Sequence, residues 1–493
     1  MKNLITATAA VLAGVWTLAP ADAEQVSQIE QYGITWHFDK PVEAGQFITG
    51  DWWVIGPVDI TRVTPEPGPV GTGSGDVAKS RYGDQGTEVD LRMRNGSMIV
   101  AEAGEGQGYD SRLKNYDPSM SIDFPKRLMP GTSLVSTISN EPLKVEVMYE
   151  AIMWRSEKTG DRALNTAAVL TVLNEQPPAD AFRPPYAGRQ KPIYTFSQLN
   201  LDLLQNLPAP DSRPDWNQYA RYLQRPWLDH TTSWLHQITG PSENQANYGR
   251  EFTRITGIAA LMINTKASPE QKRPLIIGLV QLGIDIHGVI NAGREYYADG
   301  GHYSGRKLPA ILAAALLGDK KMQHTASNAR FAEDLQTYYG QGWAGQQALF
   351  QVVNLWGSRP PHEQKLPTEW DKNDKQAEMY RGVNSGAWPA TALVIRLMGL
   401  VKAWDHDAFF DYNDRWMSPK DPYADQYPAG QQRSDKEGKA IDSFVNDMWQ
   451  RFRTAAPSAE WAGDGQMWDA MHKPKPEWRS NPKPEEPAEV YLP

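Results

Sequence analysis

The chain reads as a multidomain protein: an N-terminal antiparallel β-sandwich followed by an all-α (α/α) toroid or barrel. Three observations lead there. Residues 24–175 alternate short apolar runs with Gly, Pro and Asn turn signals, the pattern of short strands. From about residue 196 the apolar positions recur at helical spacing, in many segments with short connectors and no alternating strands. Between them lies a proline-dense stretch, Gln176-Pro177-Pro178 and then Phe182-Arg183-Pro184-Pro185-Tyr186, which can continue neither a helix nor a central strand. At 493 residues the chain is long for one core, so two domains are expected. The reading divides it into 1–23, a signal peptide; 24–175, the β domain; 176–195, a linker; 196–455, the helical catalytic domain; and 456–493, an extended tail.

The start is Met1-Lys2-Asn3, then LITATAAVLAGVWTLAP, then Ala21-Asp22-Ala23. A basic start, a short apolar core and an A-x-A ending describe a secretory signal peptide cleaved after Ala23, so the expected location is secreted or periplasmic. The run is too short for a membrane anchor, and no later long uncharged apolar run was found, so a soluble mature protein is expected. Strands are predicted at 34–38, 46–48, 52–55, 97–100, 133–138, 143–148 and 168–173, with 64–76 a loop. Helices are predicted at 196–206, 215–223, 227–238, 247–264, 270–292, 305–318, 322–339, 374–382, 386–403, 406–416 and 435–453. Residues 340–373, rich in Gly, Pro and Trp, suit a lid, and the Lys-Pro and Glu-Pro steps after His472 suit a strap or disordered end.

Composition narrows the chemistry. No cysteine means no disulfide and no thiolate chemistry. A net charge of −9 argues against nucleic acid and anionic membranes as partners, while a locally basic site for an anionic substrate stays open. Eighteen tryptophans suit carbohydrate faces as well as a core. The histidines form no metal motif, and Gly71-Thr72-Gly73-Ser74-Gly75 lacks the context and lysine of a P-loop, so neither a metal nor another cofactor is expected.

The densest chemical cluster is Asp299-Gly300-Gly301-His302-Tyr303-Ser304-Gly305-Arg306-Lys307, ahead of the apolar LPAILAAALLGD. Ser304 is a plausible N-cap, and the start of the helix favours an anion. The same stretch also suits a plain Gly-rich turn between helices. Tyr380-Arg381-Gly382-Val383-Asn384-Ser385-Gly386-Ala387-Trp388 repeats the theme, either as the facing wall of a cleft with Trp388 as a sugar platform or as another capped helix start. Asp285 and His287 lie inside an apolar helix but not on one face, and His287 reads as a satisfied buried histidine. Asp229-His230 and Asp405-His406 read as caps at helix starts.

A β-rich module before a Trp-rich helical part resembles polysaccharide lyases and related enzymes of the (α/α) toroid type. The local runs that carry the resemblance are Arg225-Pro226-Trp227-Leu228-Asp229-His230, Tyr248-Gly249-Arg250-Glu251, Gln281-Leu282-Gly283-Ile284-Asp285, Gly300-Gly301-His302, Gly305-Arg306-Lys307 and His406-Asp407-Ala408-Phe409-Phe410-Asp411-Tyr412. They look like those of secreted proteins from polysaccharide-degrading bacteria.

The resemblance implies β-elimination at a uronic acid. That reaction needs a donor set on the carboxylate, a base at C5 and an acid for the departing O4. The residues that could supply them are His302, Tyr303 and Tyr248 for acid–base work. Asn244, Asn247, Arg250, Arg306, Tyr380, Asn384 and Trp388 are the candidates for substrate contacts. Two alternatives stand beside this reading. One is a glycoside hydrolase on the same toroid with a carboxylate pair drawn from Glu251, Asp285, Glu295 and Asp299. The other is a non-catalytic carbohydrate-binding protein.

Overall fold

The computed structural model describes residues 23–68, 93–111, 113, 115–144, 162–232, 239–354, 357–358, 362–421, 425 and 436–454. Residues 1–22 of the expected signal peptide (1–23), the tail after 454, most of the 64–76 loop, the later parts of the 143–148 strand and the 227–238 helix, and part of the 340–373 lid lie outside the described residues.

The N-terminal part folds as one curled mixed sheet, a half-barrel, and not as a sandwich. Its strands are β1 (Glu24–Gln31), β2 (Ile34–Gln46), β3 (Trp52–Ile55), β4 (Val58–Thr64), β5 (Ser97–Met98), β6 (Lys126–Leu128), β7 (Thr132–Lys144) and β8 (Arg162–Leu173). The spatial order is β5-β7-β8-β3-β2-β4-β6, with β1 paired to β2. Most pairs are antiparallel, but β3 runs parallel to β8, with Trp52 opposite Leu170 and Ile55 opposite Leu173. That pairing joins the two ends of the region in one sheet, where a sandwich would place strands in two. Register shifts at Val26/Gln28 and His37/Phe38 mark bulges, which bend the long β2 and help the sheet curl.

Both faces of β8 are buried, with period two. Ala168, Leu170 and Val172 face Trp36, Val54 and Leu134 inside the curl. Ala167 and Val169 join Val135 and the helices on the other side. One apolar core therefore runs from the sheet into the helical part.

Eleven helices follow among the described residues: α1 (Trp216–Leu223), α2 (Gly249–Ile263), α3 (Pro269–Asn291), α4 (Lys307–Leu317), α5 (Lys320–Asn328), α6 (Ala332–Gln336), α7 (Lys372–Asn384), α8 (Pro389–Leu397), α9 (Val401–Trp404), α10 (Asp407–Met417) and α11 (Ser443–Phe452). Their starts are set by local chemistry. Ser268 and Gln271 form a reciprocal capping box with Pro269 at the first position of α3. Asp215, Asp319 and Asp371 cap α1, α5 and α7. By length and composition α3 could cross a membrane, but 83% of its most apolar window is buried inside this protein, as in a core helix.

The expected (α/α) toroid does not form. A ring of helical hairpins needs a regular series of helices long enough to build its wall. Here α5, α6 and α9 have nine, five and four residues. The predicted helix 322–339 breaks at Ala329, whose backbone is extended, and ends in a strand, β9 (Thr337–Tyr339), paired with β10 (Ala348–Phe350). A second small ribbon joins β11 (Val353–Asn354) to β12 (Gly357–Ser358). Residues 196–206 form only two short 3₁₀ turns, and 227–232 are not helical.

Residues 181–188 of the proline-dense stretch form a buried strap, while Gln176 and Pro178 before them are exposed. Arg183 donates from Nε to Asp51 Oδ2 at 2.7 Å and from Nη1 and Nη2 to Asp285 at 3.0 and 2.6 Å. The Tyr186 N–H also donates to Asp285, at 3.1 Å. One guanidinium thus ties the β2–β3 loop of the sheet to the middle of α3.

Candidate active site

The Gly300–Arg306 loop, the start of α2 and the end of α7 converge on one spot. Asp299 and Gly300 both have positive φ, 39° and 68°, so the chain reverses sharply before His302. The turn lies directly on α2. A Cβ at Gly249 would stand 2.0 Å from the Gly301 carbonyl oxygen, so only glycine permits this approach.

Four of the expected residues meet there. The Tyr248 and His302 rings pack edge to face with centroids 4.8 Å apart. The Tyr248 hydroxyl donates to the Gly300 carbonyl at 3.0 Å. Asn384 Nδ2 donates to the carbonyls of Gly300 and Tyr380 at 3.3 and 2.9 Å, and lies 3.4 Å from the Tyr248 hydroxyl. The Tyr380 ring closes over Gly300. Tyr248, His302 and Tyr380 are all half-buried, so the cluster reaches solvent.

The electrostatics separate the two titratable rings. Burial, helped by the nearby Arg306 charge, pushes the His302 imidazole down to about 4. It is therefore neutral at pH 7, with a lone pair to accept a proton. Burial pushes the Tyr248 phenol well above its ordinary range, so it holds its proton. A neutral histidine beside a protonated tyrosine is a base and an acid in contact.

The other expected residues have structural positions. Tyr303, next to His302, turns into the interior and packs on Arg294, 4.5 Å from ring centroid to guanidinium carbon. Arg306 is 1% exposed and grips Asp229 with Nε at 2.9 Å and Nη2 at 3.1 Å. Its Nη1 donates to the carbonyls of His302 and Ser304 at 3.0 and 2.9 Å, so it holds the loop from beneath. Arg250 is buried against Glu251, to which its Nε donates at 2.6 Å. Asn244 donates to the Arg225 carbonyl at 2.9 Å, and Asn247 is buried.

Trp388 is fully buried among Phe350, Phe409 and Tyr412 and offers no face to a sugar. Ser304 does not cap α4. Its hydroxyl lies 3.4 Å from Trp388 Nε1, and Arg306 holds the cap position without capping the helix through its side chain. The place ahead of α4 is taken by the protein's own Glu333 carboxyl, pushed up to about 7 by burial, which accepts from the Gly305 N–H at 2.6 Å.

The carboxylates proposed for hydrolysis are mostly committed to arginines. Asp285 is held by Arg183, Glu251 by Arg250, and Glu295 by Arg330 at 3.5 Å. His287 Nε2 donates to the Ala310 carbonyl, 3.0 Å away, while Asp285 faces the strap, so the two do diverge on α3.

His406 touches Thr337 O at 2.7 Å, beyond Asp405, whose left-handed φ of 57° ends α9. Among the described residues no group of three or more His, Asp or Glu is placed to hold a metal ion.

Sequence reasoning passed over a second cluster beneath the first. His230 is not a helix-start residue but a buried ring between Tyr109 and Tyr186, edge to face at 5.8 Å from each. Arg294, in the Gly293-Arg294-Glu295-Tyr296-Tyr297 run, lies beneath Tyr303 and Tyr296. The available signal was an arginine set among tyrosines directly ahead of the glycine turn. Comparison of the chain with family models, curated proteins and solved structures returned no match.

Proposed function

We propose that this protein is a secreted or periplasmic enzyme that degrades a uronic-acid-containing polysaccharide by β-elimination, with His302 as base and Tyr248 as acid. The observation that carries the proposal is the contact between a neutral imidazole and a protonated phenol in a partly open site.

The chemistry is balanced with these two groups. A ring nitrogen of His302 takes the C5 proton. The C5–H electrons form the C4=C5 double bond, the C4–O4 bond breaks, and O4 takes the Tyr248 proton. Positioned acid–base groups of this kind contribute on the order of 10²–10⁴-fold each. Asn384 and Gly300 fix the Tyr248 hydroxyl, and Arg306 fixes the His302 backbone, so neither group needs to be ordered when substrate binds. The hydrolase reading is weaker here because arginines already engage Glu251, Asp285 and Glu295.

Mass spectrometry of the products tests this. Uronate polymers (alginate, glucuronan, pectate, glycosaminoglycans) are incubated with the purified protein beside neutral glucans. Elimination gives fragments whose new non-reducing ends are one water lighter than hydrolysis would leave. Fully hydrated fragments from the same polymers would overturn the proposal.

A further inference from the structure

The buried cluster behind the loop has a charge without a counterion. Arg294 is 1% exposed, and Nε, Nη1 and Nη2 all lack a hydrogen-bond acceptor. The guanidinium leans on the Tyr303 and Tyr296 rings, 4.5 and 5.1 Å from its central carbon, with Tyr303 its main electrostatic neighbour. The carboxylate beside it, Asp229, is taken by Arg306 on both oxygens. Two arginines therefore share one carboxylate, which leaves one positive charge over.

His230 adds to the surplus of unsatisfied groups. Both of its ring nitrogens are buried without partners, and so are the hydroxyls of Tyr109 and Tyr296. A buried polar atom without a partner is uncommon, and an unpaired buried charge is costly. Here they gather in one place, on residues from the sheet region, from the 227–232 segment and from the loop after α3.

We infer that Arg294, His230, Tyr109 and Tyr296 form a receptor for one carboxylate group, that of a uronate residue of the substrate. A planar guanidinium with no carboxylate hydrogen-bonded to its fork matches one in bidentate fashion. The imidazole and the two phenols supply further hydrogen bonds, to the carboxylate or to adjacent sugar hydroxyls. The half-buried Tyr297 and Asp299 adjoin Tyr303 and border the receptor. The surplus cation thus takes over the role expected of Arg250 and Arg306, which are bound to Glu251 and Asp229.

The identity of the ligand rests on the uronate reading, whereas the presence of a carboxylate receptor does not. Thermal unfolding of the mature protein tests both. D-glucuronate and D-galacturonate at about a hundredfold excess over their Kd are expected to raise the midpoint by a few degrees, with D-glucose giving no shift. Arg294→Met should abolish that shift and should not lower the midpoint of the protein alone, because it removes an unpaired buried charge. If that variant fails to fold, Tyr296→Phe gives a second reading, with a shift reduced at least severalfold. No uronate shift in the parent protein, or an unchanged shift in both variants, would overturn the receptor. An equal shift with acetate would overturn the uronate assignment. A uronate shift in a protein that makes no eliminated product would keep the receptor and remove the lyase reading.

Discussion

Gly249→Ala asks whether the contact between α2 and the glycine turn sets the geometry of the Tyr248–His302 pair. The new Cβ would stand 2.0 Å from Gly301 O, 2.8 Å from Ser304 N and 3.0 Å from the His302 carbonyl carbon. All three are backbone atoms, so no flexible side chain can swing aside. Ordinary contact begins at 3.4 Å, so the loop must retreat from α2 by about 1.4 Å. The φ of Gly249 lies outside the left-handed region, and alanine is the better helix former by about 1 kcal/mol, so the backbone itself does not resist the change. The retreat would separate two rings now 4.8 Å apart and lengthen the 3.0 Å bond from Tyr248 to Gly300. Misplacement of reacting groups by about 1 Å costs on the order of 10²-fold in rate, or about 2.7 kcal/mol of barrier. The assay is the initial rate of unsaturated product formation on the best uronate polymer, with circular dichroism to show that the fold persists. A folded variant with an unchanged kcat would refute this account of the loop.

Trp388→Ala should cost about 3–5 kcal/mol of stability, measured by urea denaturation, because it empties a fully buried site. A stable variant with a raised KM would instead return Trp388 to the substrate. Arg183→Met leaves Asp51 and Asp285 buried without their cation and should destabilise by about 3–5 kcal/mol, and a loss under about 1 kcal/mol would show that the strap does not clamp the sheet to α3. Burial pushes His230 down to about 3, and His287 and His302 to about 4, against an ordinary value of 6.5. Between pH 6.5 and about 4 the unfolded chain therefore binds protons that the folded chain refuses. Stability should fall as pH falls through that window by up to about 1.4 kcal/mol per unit for each histidine, offset in part by Glu333 and Asp414, whose carboxyls burial pushes up to about 7 and about 6 so that they take up protons in the folded chain. Equal urea midpoints at pH 7 and pH 5 would contradict this.

Local chemistry was legible in the sequence, and tertiary pairing was not. The Ser268–Gln271 box and Pro269 announce α3, and short apolar runs bounded by turn signals mark β3, β7 and β8. Nothing local says that β3 runs parallel to β8, and that pairing turns an expected sandwich into a single curled sheet. Helical spacing also over-reached. Thr337–Tyr339 follow a helical run but form a strand because Ala348–Phe350 lie beside them.

The site divides in the same way. Tyr248, His302, Tyr380 and Asn384 each flank a glycine turn or a helix end, and the fold joins them. Arg306 read as a substrate contact because its partner, Asp229, is 77 residues away. Asp229-His230 looked like a cap because an Asp before an aromatic segment usually is one. That Asp was needed to neutralise Arg306, which left His230 and Arg294 buried without hydrogen-bond partners.

The most direct test of the central claim is ultraviolet absorbance of the parent protein, His302→Ala and Tyr248→Phe on the same panel of uronate polymers. The account predicts a steady rise from the unsaturated uronate with the parent protein. It predicts a loss of on the order of 10²-fold or more in each variant, with the fold intact. New reducing ends without that absorbance, or variants as active as the parent, would contradict it.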